Sequence, residues 1–334
     1  MIFGEGAGNI SPENAWLFAC VTVEDDESIG TTAYKRYTLA KNPLVTKYGT
    51  ITDTYKSADS YPFAVFDADT KEFIGAFSTF KAAIDKAKAR QGNNAWDKAT
   101  GKFTGTVVSS VVLLRRDYTT VSGDYYDNFG QIKGTVTIDL GGHTMNQGVG
   151  VDGLLWQITI KGWGGKVYPS VMNIKNGAFN VHNHALLQMR TWATVDMNYR
   201  PFTINFDDVD FGFVSGATTS NLLIEYANQN TGSGYSSTVP TNFYVNFNNC
   251  NFDLVTNAPS GAKLFNAAGG ENVWIKTTVT VKGGEIKAPK LTLSQLYSVE
   301  TKYGSSVKFV KDGEGNYTKL YITNGGSAPT GDIS

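Results

Sequence analysis

An all-β chain of stacked, repeating coils closed by one short helix is what this sequence predicts, and three observations predict it. The run Leu140-Gly-Gly-His-Thr-Met145 recurs as Ile174 to Phe179, Phe206 to Phe211, Phe247 to Phe252 and Val281 to Ile286. The first residues of these runs are 34, 32, 41 and 34 positions apart. Ahead of each anchor apolar residues alternate with polar ones, as in Val136/Ile138/Leu140, Phe202/Ile204/Phe206 and Phe243/Val245/Phe247. Period-two alternation marks a strand with one buried face. Just after each anchor comes a turn column of Gly142, Asn176, Asp208, Asn249 and Gly283. Gly, Asn and Asp are the residues that best tolerate positive φ, so each repeat bends there. A second strand is expected downstream, marked by Leu155, Leu187, Leu223, Leu264 and Leu296. A repeat that cannot bury its own apolar face buries it against its neighbours. The expected architecture is therefore a right-handed parallel β-helix, with equivalent residues about 4.8 Å apart in columns. A β-propeller would need four strands per repeat and tight hairpins, and the repeats contain two or three strands each.

The elements follow in chain order. Residues 1–10 are Gly-rich and expected to be loose. Trp16 to Glu24 reads as a strand broken by a solvated turn at Glu24-Asp-Asp-Glu27, with further strands at Tyr34–Leu39 and Tyr48–Tyr55. Residues 1–60 are thus expected to form a β segment that seals the N-terminal end or stands as its own module. Tyr61–Phe66 and Glu72–Phe77 flank Asp67-Ala-Asp-Thr-Lys71, a hairpin turn. Ser78 or Thr79 can cap a helix over about 79–90, with Phe80, Ala83, Ile84 and Ala87 on one face. Its apolar face would cover the open end of the stack, which is otherwise an exposed sheet edge. Val107 to Leu114 is a buried strand, and the five coils run from about 134 to 300. Val307 to Ile322 reads as a closing hairpin, so the β-helix domain spans 61–322, and 323–334 has a linker-like composition.

The beginning of the repeat region resembles the pectin-lyase-like parallel β-helix superfamily. The likeness lies in the helix Phe80 to Ala87, the strand Val111 to Tyr118 ending in an Asp-Tyr turn, and the coil Ile138-Asp-Leu-Gly-Gly-His-Thr144. It covers roughly residues 61–322 and is most like the non-catalytic bacterial cell-surface members. The superfamily also holds lyases, hydrolases and tailspikes, so the resemblance implies a fold more than an activity. The hydrolase motifs of that superfamily, a Gly-His-Gly and an Arg-Ile-Lys, are absent from this sequence.

Composition narrows the function classes. The chain has 334 residues, 18 % charged and 41 % hydrophobic, with a formal net charge of −1. Without a basic field, nucleic acid is not an expected partner. The apolar run Ala15 to Val21 is too short to span a bilayer, so membrane insertion is not expected. The first basic residue is Lys35, so no signal-peptide n-region precedes it. Together with the linker-like end, this leads to the expectation of one part of a longer multidomain chain, and the resemblance to cell-surface members implies an extracellular or cell-surface location. Cys20 and Cys250 are far apart, and Cys250 shares an inward column with His143, Gly177, Val209 and Gly284. A buried free thiol is expected there.

Candidate chemistry is sparse. Asp207, Asp208 and Asp210 form an acidic cluster, and paired carboxylates do acid–base work on polysaccharides. An enzyme reading would use Asp207, Asp210, Glu225 and Arg190, with calcium as a possible cofactor and an acidic or plant-type polysaccharide as substrate. The competing reading is turn chemistry, because Asp208 stands where other coils have Asn or Gly. His182 and His184 lack a third histidine nearby, which favours a loop role and no metal site. The most ordered polar feature is the outward column Asp139, Asn173, Asn205, Asn246 and Thr280. Stacked amides stiffen such a column. They also offer a polar strip to glycan hydroxyls, with Tyr244 and Trp192 as candidate stacking surfaces. The sequence is therefore read as a non-catalytic, adhesin-like domain that binds a polysaccharide or a host glycan or protein through Asn173, Asn205, Asn246, Tyr244 and Trp192. The alternatives are a polysaccharide lyase or glycoside hydrolase, and a structural spacer.

Overall fold

The chain was analysed as a computed structural model. It describes residues 21–29, 32–39, 44–97, 99–124, 126–127, 132–150, 156–160, 170–191, 202–228, 241–267, 275–282, 284, 286–287, 297–298, 305–311 and 317–324. Strands dominate, and Phe80–Ala89 is the α-helix among the described residues.

Two parallel arrays carry the repeats. In the longer sheet the strands Ser110–Leu114, Gly134–Asp139, Ser170–Val181, Phe202–Phe213, Thr241–Asn248 and Ile275–Lys282 lie side by side in chain order. A six-stranded sheet runs through Tyr126–Asp127, Trp156–Ile160, Leu187–Thr191, Asn221–Asn228, Lys263–Ala267 and Tyr297–Ser298, again in chain order and parallel. The register sets like on like: Ile138, Ile174, Phe206, Phe247 and Val281 form one rung column. The long strands Ser170–Val181 and Phe202–Phe213 each contain one residue in the left-handed region, Asn176 (φ 59°) and Asp208 (φ 55°). Asn249 (φ 52°) does the same between Thr241–Asn248 and Asn251–Asp253. At Asn176, Asp208 and Asn249 the turn column therefore works as its residue types predict, at modest steric cost for Asn and Asp.

The inner faces of both arrays share one core. Ile174, Phe206, Phe211, Phe247 and Phe252 from the longer sheet pack in the same cluster as Leu187, Leu222, Ile224 and Leu264 from the other. The phenylalanines stack down the columns, with Phe206 over Phe247 at 4.9 Å and 5° and Phe211 over Phe252 at 5.4 Å and 8°. Rings of neighbouring columns meet edge to face, as Phe206 and Phe211 do at 82°.

The helix forms as its periodicity predicts. Thr79 Oγ1 accepts from the Ala82 amide, and Phe80, Ala83, Ile84 and Ala87 are buried in the same core as the rungs. The hairpin Phe63–Asp67/Phe73–Phe77 pairs antiparallel with Ser110–Leu114, and the helix packs against it, at the N-terminal end of the array. Asp67 Oδ1 accepts from the amides of Asp69 and Thr70, which closes the hairpin turn. Ser305–Lys311 and Tyr317–Asn324 pair antiparallel as the expected hairpin.

Several expectations need correction. Asp139 does not share a column with Asn173: it pairs with Lys175, and Thr137 stands opposite Asn173. The reason is two extra residues in the first repeat. Four residues, 140–143, separate the pairs Asp139↔Lys175 and Thr144↔Ala178, where the next repeat has two. The extra length makes its own turn, with the His143 amide donating to Leu140 O and Gly141 and Gly142 at φ 62° and 82°. His143 is consequently displaced from the inward column and is half-buried beside Asp117. In the second sheet the register runs Trp156–Leu187–Ile224–Phe265–Tyr297, one residue away from the leucine alignment at two of the steps. Glu24 to Glu27 is not a turn but lies within the strand Val21–Ile29, with Glu24 opposite Arg36 and Asp25 opposite Lys35. Opposite charges across a strand pair favour pairing where a solvated turn was expected. Tyr48–Tyr55 is shorter than a strand of that length: Leu44–Thr46 and Gly49–Ile51 form a small hairpin, followed by a 3-10 turn at Asp53–Tyr55. The strand expected from Val107 begins at Ser110. Trp16 to Cys20, residues 1–10, Gly283 and residues 325–334 lie outside the described residues.

Candidate functional site

The outward face of the longer sheet is a set of hydrogen-bonded polar columns. Alternation along each strand turns every second residue away from the core, and parallel pairing stacks those residues at about 4.8 Å. In the central column Asn205 Nδ2 donates to Asn173 Oδ1 at 2.9 Å, and Asn246 Nδ2 donates to Asn205 Oδ1 at 2.8 Å. All three are half-buried. Each amide has two N–H groups, and the ladder consumes one. Tyr244, two residues before Asn246 and so on the same face, is 37 % exposed, the only one of the candidate aromatics whose side chain is described. Trp192 lies outside the described residues.

The acidic cluster belongs to the same system. Asn248 Nδ2 donates to Asp207 Oδ1 at 2.7 Å, and Asn251 Nδ2 donates to Asp210 Oδ1 at 2.7 Å. Asn249 does likewise to Asp208. Each carboxylate is thus paired with an amide of the next repeat. Glu225 and Arg190 sit on strands of the other sheet, where the register sets Glu225 opposite Gln188 and Arg190 opposite Ala227. Among the described residues, no three His, Cys, Asp or Glu side chains converge as a metal site.

Asp139 is buried, and an N-terminal hairpin covers it. Lys47 Nζ lies 2.7 Å from its Oδ2, Tyr48 donates its hydroxyl to the same oxygen, Gly141 N donates to Oδ1 at 2.8 Å, and Asn176 Nδ2 adds a contact at 3.2 Å. Burial pushes this carboxyl up, but the lysine, the tyrosine and the two amides outweigh it and hold it below the usual carboxylate range. Lys175 Nζ lies 6.0 Å from the centre of the Tyr48 ring.

A cleft of about 500 Å³ opens further along the same face, beside Asp210. Asn180, Gly212, Asn251, Asp253 and Lys287 line it. Lys287 Nζ is held by Asp253 Oδ2 at 3.0 Å and Thr256 Oγ1 at 2.7 Å. Burial pushes Asp253 up, but the Thr256 and Val255 amides, the Thr256 hydroxyl and Lys287 keep it well below the carboxylate range. Of these residues only Asp210 was singled out from the sequence. The signal was available in the position after each second anchor, which reads Asn146, Asn180, Gly212, Asp253, Lys287.

His182 and His184 sit in the corner at 182–184, where Gln147 Oε1 accepts the amides of His182, Asn183 and His184 at 2.8–3.0 Å. Cys250 is a buried free thiol in the inward column, pushed up to about 11 by burial. No family model, curated protein or solved structure matches the chain.

Proposed function

We propose that the chain is a right-handed parallel β-helix of an extracellular bacterial surface protein, and that its amide-lined face binds glycan without cleaving it. The observation that carries this reading is the pairing of Asp207, Asp208 and Asp210 with Asn248, Asn249 and Asn251. General acid–base hydrolysis needs two carboxylates flanking one bond, one of them raised to hold a proton. Here each carboxylate is a rung in a ladder with an amide neighbour, and repeating amides and hydroxyl acceptors match a repeating polyol. The array spacing is close to the length of one sugar ring, so successive rungs offer one contact set per residue of a chain laid along the stack. Pectin-lyase-like likeness in the Ile138 to Thr144 coil supports the β-helix half of the reading.

The test is a panel of neutral and acidic polysaccharides, with and without calcium, read for retention of the protein and for new chain ends. Retention without cleavage is the expected result. New unsaturated or reducing ends would replace this reading with a lyase or hydrolase, and Asp207, Asp210, Glu225 and Arg190 would be mutated first. Neither retention nor cleavage would leave a protein partner or a spacer role.

A further inference from the structure

We propose that the gap at Gly212 is a subsite for one ring of a neutral, hydroxyl-rich sugar. The inference rests on the glycan-binding reading and narrows it to a place and a ligand class.

The outward column after the second apolar anchor is Asn146, Asn180, Gly212, Asp253 and Lys287. Its two ends are laddered: Asn180 Nδ2 donates to Asn146 Oδ1 at 2.9 Å, and Lys287 Nζ donates to Asp253 Oδ2 at 3.0 Å. At Gly212 the ladder loses one rung. The side chains on either side are then two strand spacings apart, about 9.6 Å. A cleft of about 500 Å³ opens over this missing rung, within the usual size of a small-molecule site. Asn180 Oδ1 faces it, lying 2.9 Å from where a β-carbon on residue 212 would stand. In the column before the turn the equivalent oxygen, Asn173 Oδ1, accepts from Asn205. Asn180 Oδ1 accepts from no described residue, so it offers a vacant acceptor to a ligand.

The lining selects the ligand. Asn180 Oδ1 and the carboxylate of Asp210 are the acceptors; a carboxylate has about four lone-pair sites, of which Asn251 takes one at Asp210, whereas Asp253 already accepts the Val255 and Thr256 amides on Oδ1 and Lys287 on Oδ2. The cation at the rim, Lys287, is already held by Asp253 and Thr256. Such a surface wants donors, which vicinal hydroxyls supply, and charge-assisted bonds to carboxylates are the stronger kind. A uronate or sulfated ring would bring like charge against Asp210 and Asp253.

Gly212→Asn is the decisive variant. Gly212 does not lie in the left-handed region, and an added β-carbon meets only the end of the Asn180 side chain. The new amide would continue the ladder and intrude into the cleft beside Asn180. The unaltered chain and the variant are titrated calorimetrically with cellohexaose, mannohexaose and hexagalacturonate, with and without EDTA. At least one neutral hexasaccharide is expected to bind the unaltered protein, hexagalacturonate is not, and EDTA has no effect. Gly212→Asn is expected to weaken the neutral ligand at least tenfold while keeping or raising the melting temperature. Equal binding by both proteins overturns the subsite and leaves the glycan reading standing. Preference for the galacturonate, or loss of binding in EDTA, overturns the ligand class. If none of the three binds the unaltered protein, the subsite is overturned, and the polysaccharide panel decides the glycan reading. Should Gly212→Asn not fold, Asp210→Asn at its exposed position keeps an acceptor for Asn251 and removes the charge. It is expected to weaken binding several-fold, and unchanged affinity overturns the subsite.

Discussion

Asn246 donates to Asn205 across 2.8 Å although 41 residues separate them in the chain, and Asn205 donates in turn to Asn173 across 2.9 Å. A middle rung therefore serves as donor on one side and acceptor on the other. Removing it leaves two half-buried amides each short of a partner, whereas removing an end rung leaves one.

Asn205→Ala should accordingly cost more than Asn173→Ala. Each net hydrogen bond contributes about 0.5–1.5 kcal/mol, so the middle substitution should destabilise by about 1–3 kcal/mol and the end one by about half that. Urea midpoints at constant slope check this. Equal costs would mean that the amides act independently and that the column is not a ladder.

Gly177 lies beneath the enlarged turn of the preceding coil. A β-carbon on it would stand 2.4 Å from both His143 O and Leu140 Cβ, whereas the same rung position in later coils accommodates Val209 and Cys250. The two extra residues at 140–143 thus occupy the space that a side chain at 177 would need. Gly177→Ala should destabilise by about 1–3 kcal/mol through overpacking. Gly212→Ala, which meets only the flexible end of Asn180, should be close to neutral. Similar losses at both positions would show that the crowding beneath 140–143 relaxes freely.

The same two residues explain how far the sequence could be read. Alternation and the rung phenylalanines were legible because burial on one face imposes a period that needs no knowledge of the partner strand. The turn residues Asn176, Asp208 and Asn249 were legible because positive φ selects them by type. The insertion was hidden because Leu140 is apolar and Gly142 suits a bend, so the shifted alignment looked as regular as the true one. That shift put Asp139 in the wrong column and concealed its partners Lys47 and Tyr48, which are over 90 residues away. The cleft was hidden for another reason: Gly212 is conspicuous only as a rung that is absent, and a list of turn glycines does not single it out.

Cys250 should be inert in the folded chain. Its thiol is buried and pushed up to about 11, so at pH 8 only about one thiol in a thousand is thiolate, the reactive form. Alkylation at Cys250, followed by peptide mass analysis, should be slow in native buffer and rapid in urea. Labelling at the same rate in both would mean that the column opens readily around Cys250.

The carboxylate of Asp139 ties the hairpin at 44–51 to the first and second repeats, through Lys47 and Tyr48 on one side and Gly141 and Asn176 on the other. Its folded pKa is depressed below the unfolded value of about 3.9. A depressed carboxylate contributes stability that is complete above the unfolded pKa and is lost as pH falls through the folded one. The stability of the unaltered chain should therefore hold from pH 7 to about 5 and decline below about 4. Asp139→Asn removes the charge and with it the ion pair, so part of that decline should vanish while stability at pH 7 falls. Tyr48→Phe should instead leave a buried carboxylate one donor short and cost about 1–3 kcal/mol at neutral pH. Urea midpoints from pH 7 to pH 3 separate the cases: an Asp139→Asn profile parallel to that of the unaltered chain would mean that other carboxylates, Asp67 and Asp253 among them, govern the acid limb.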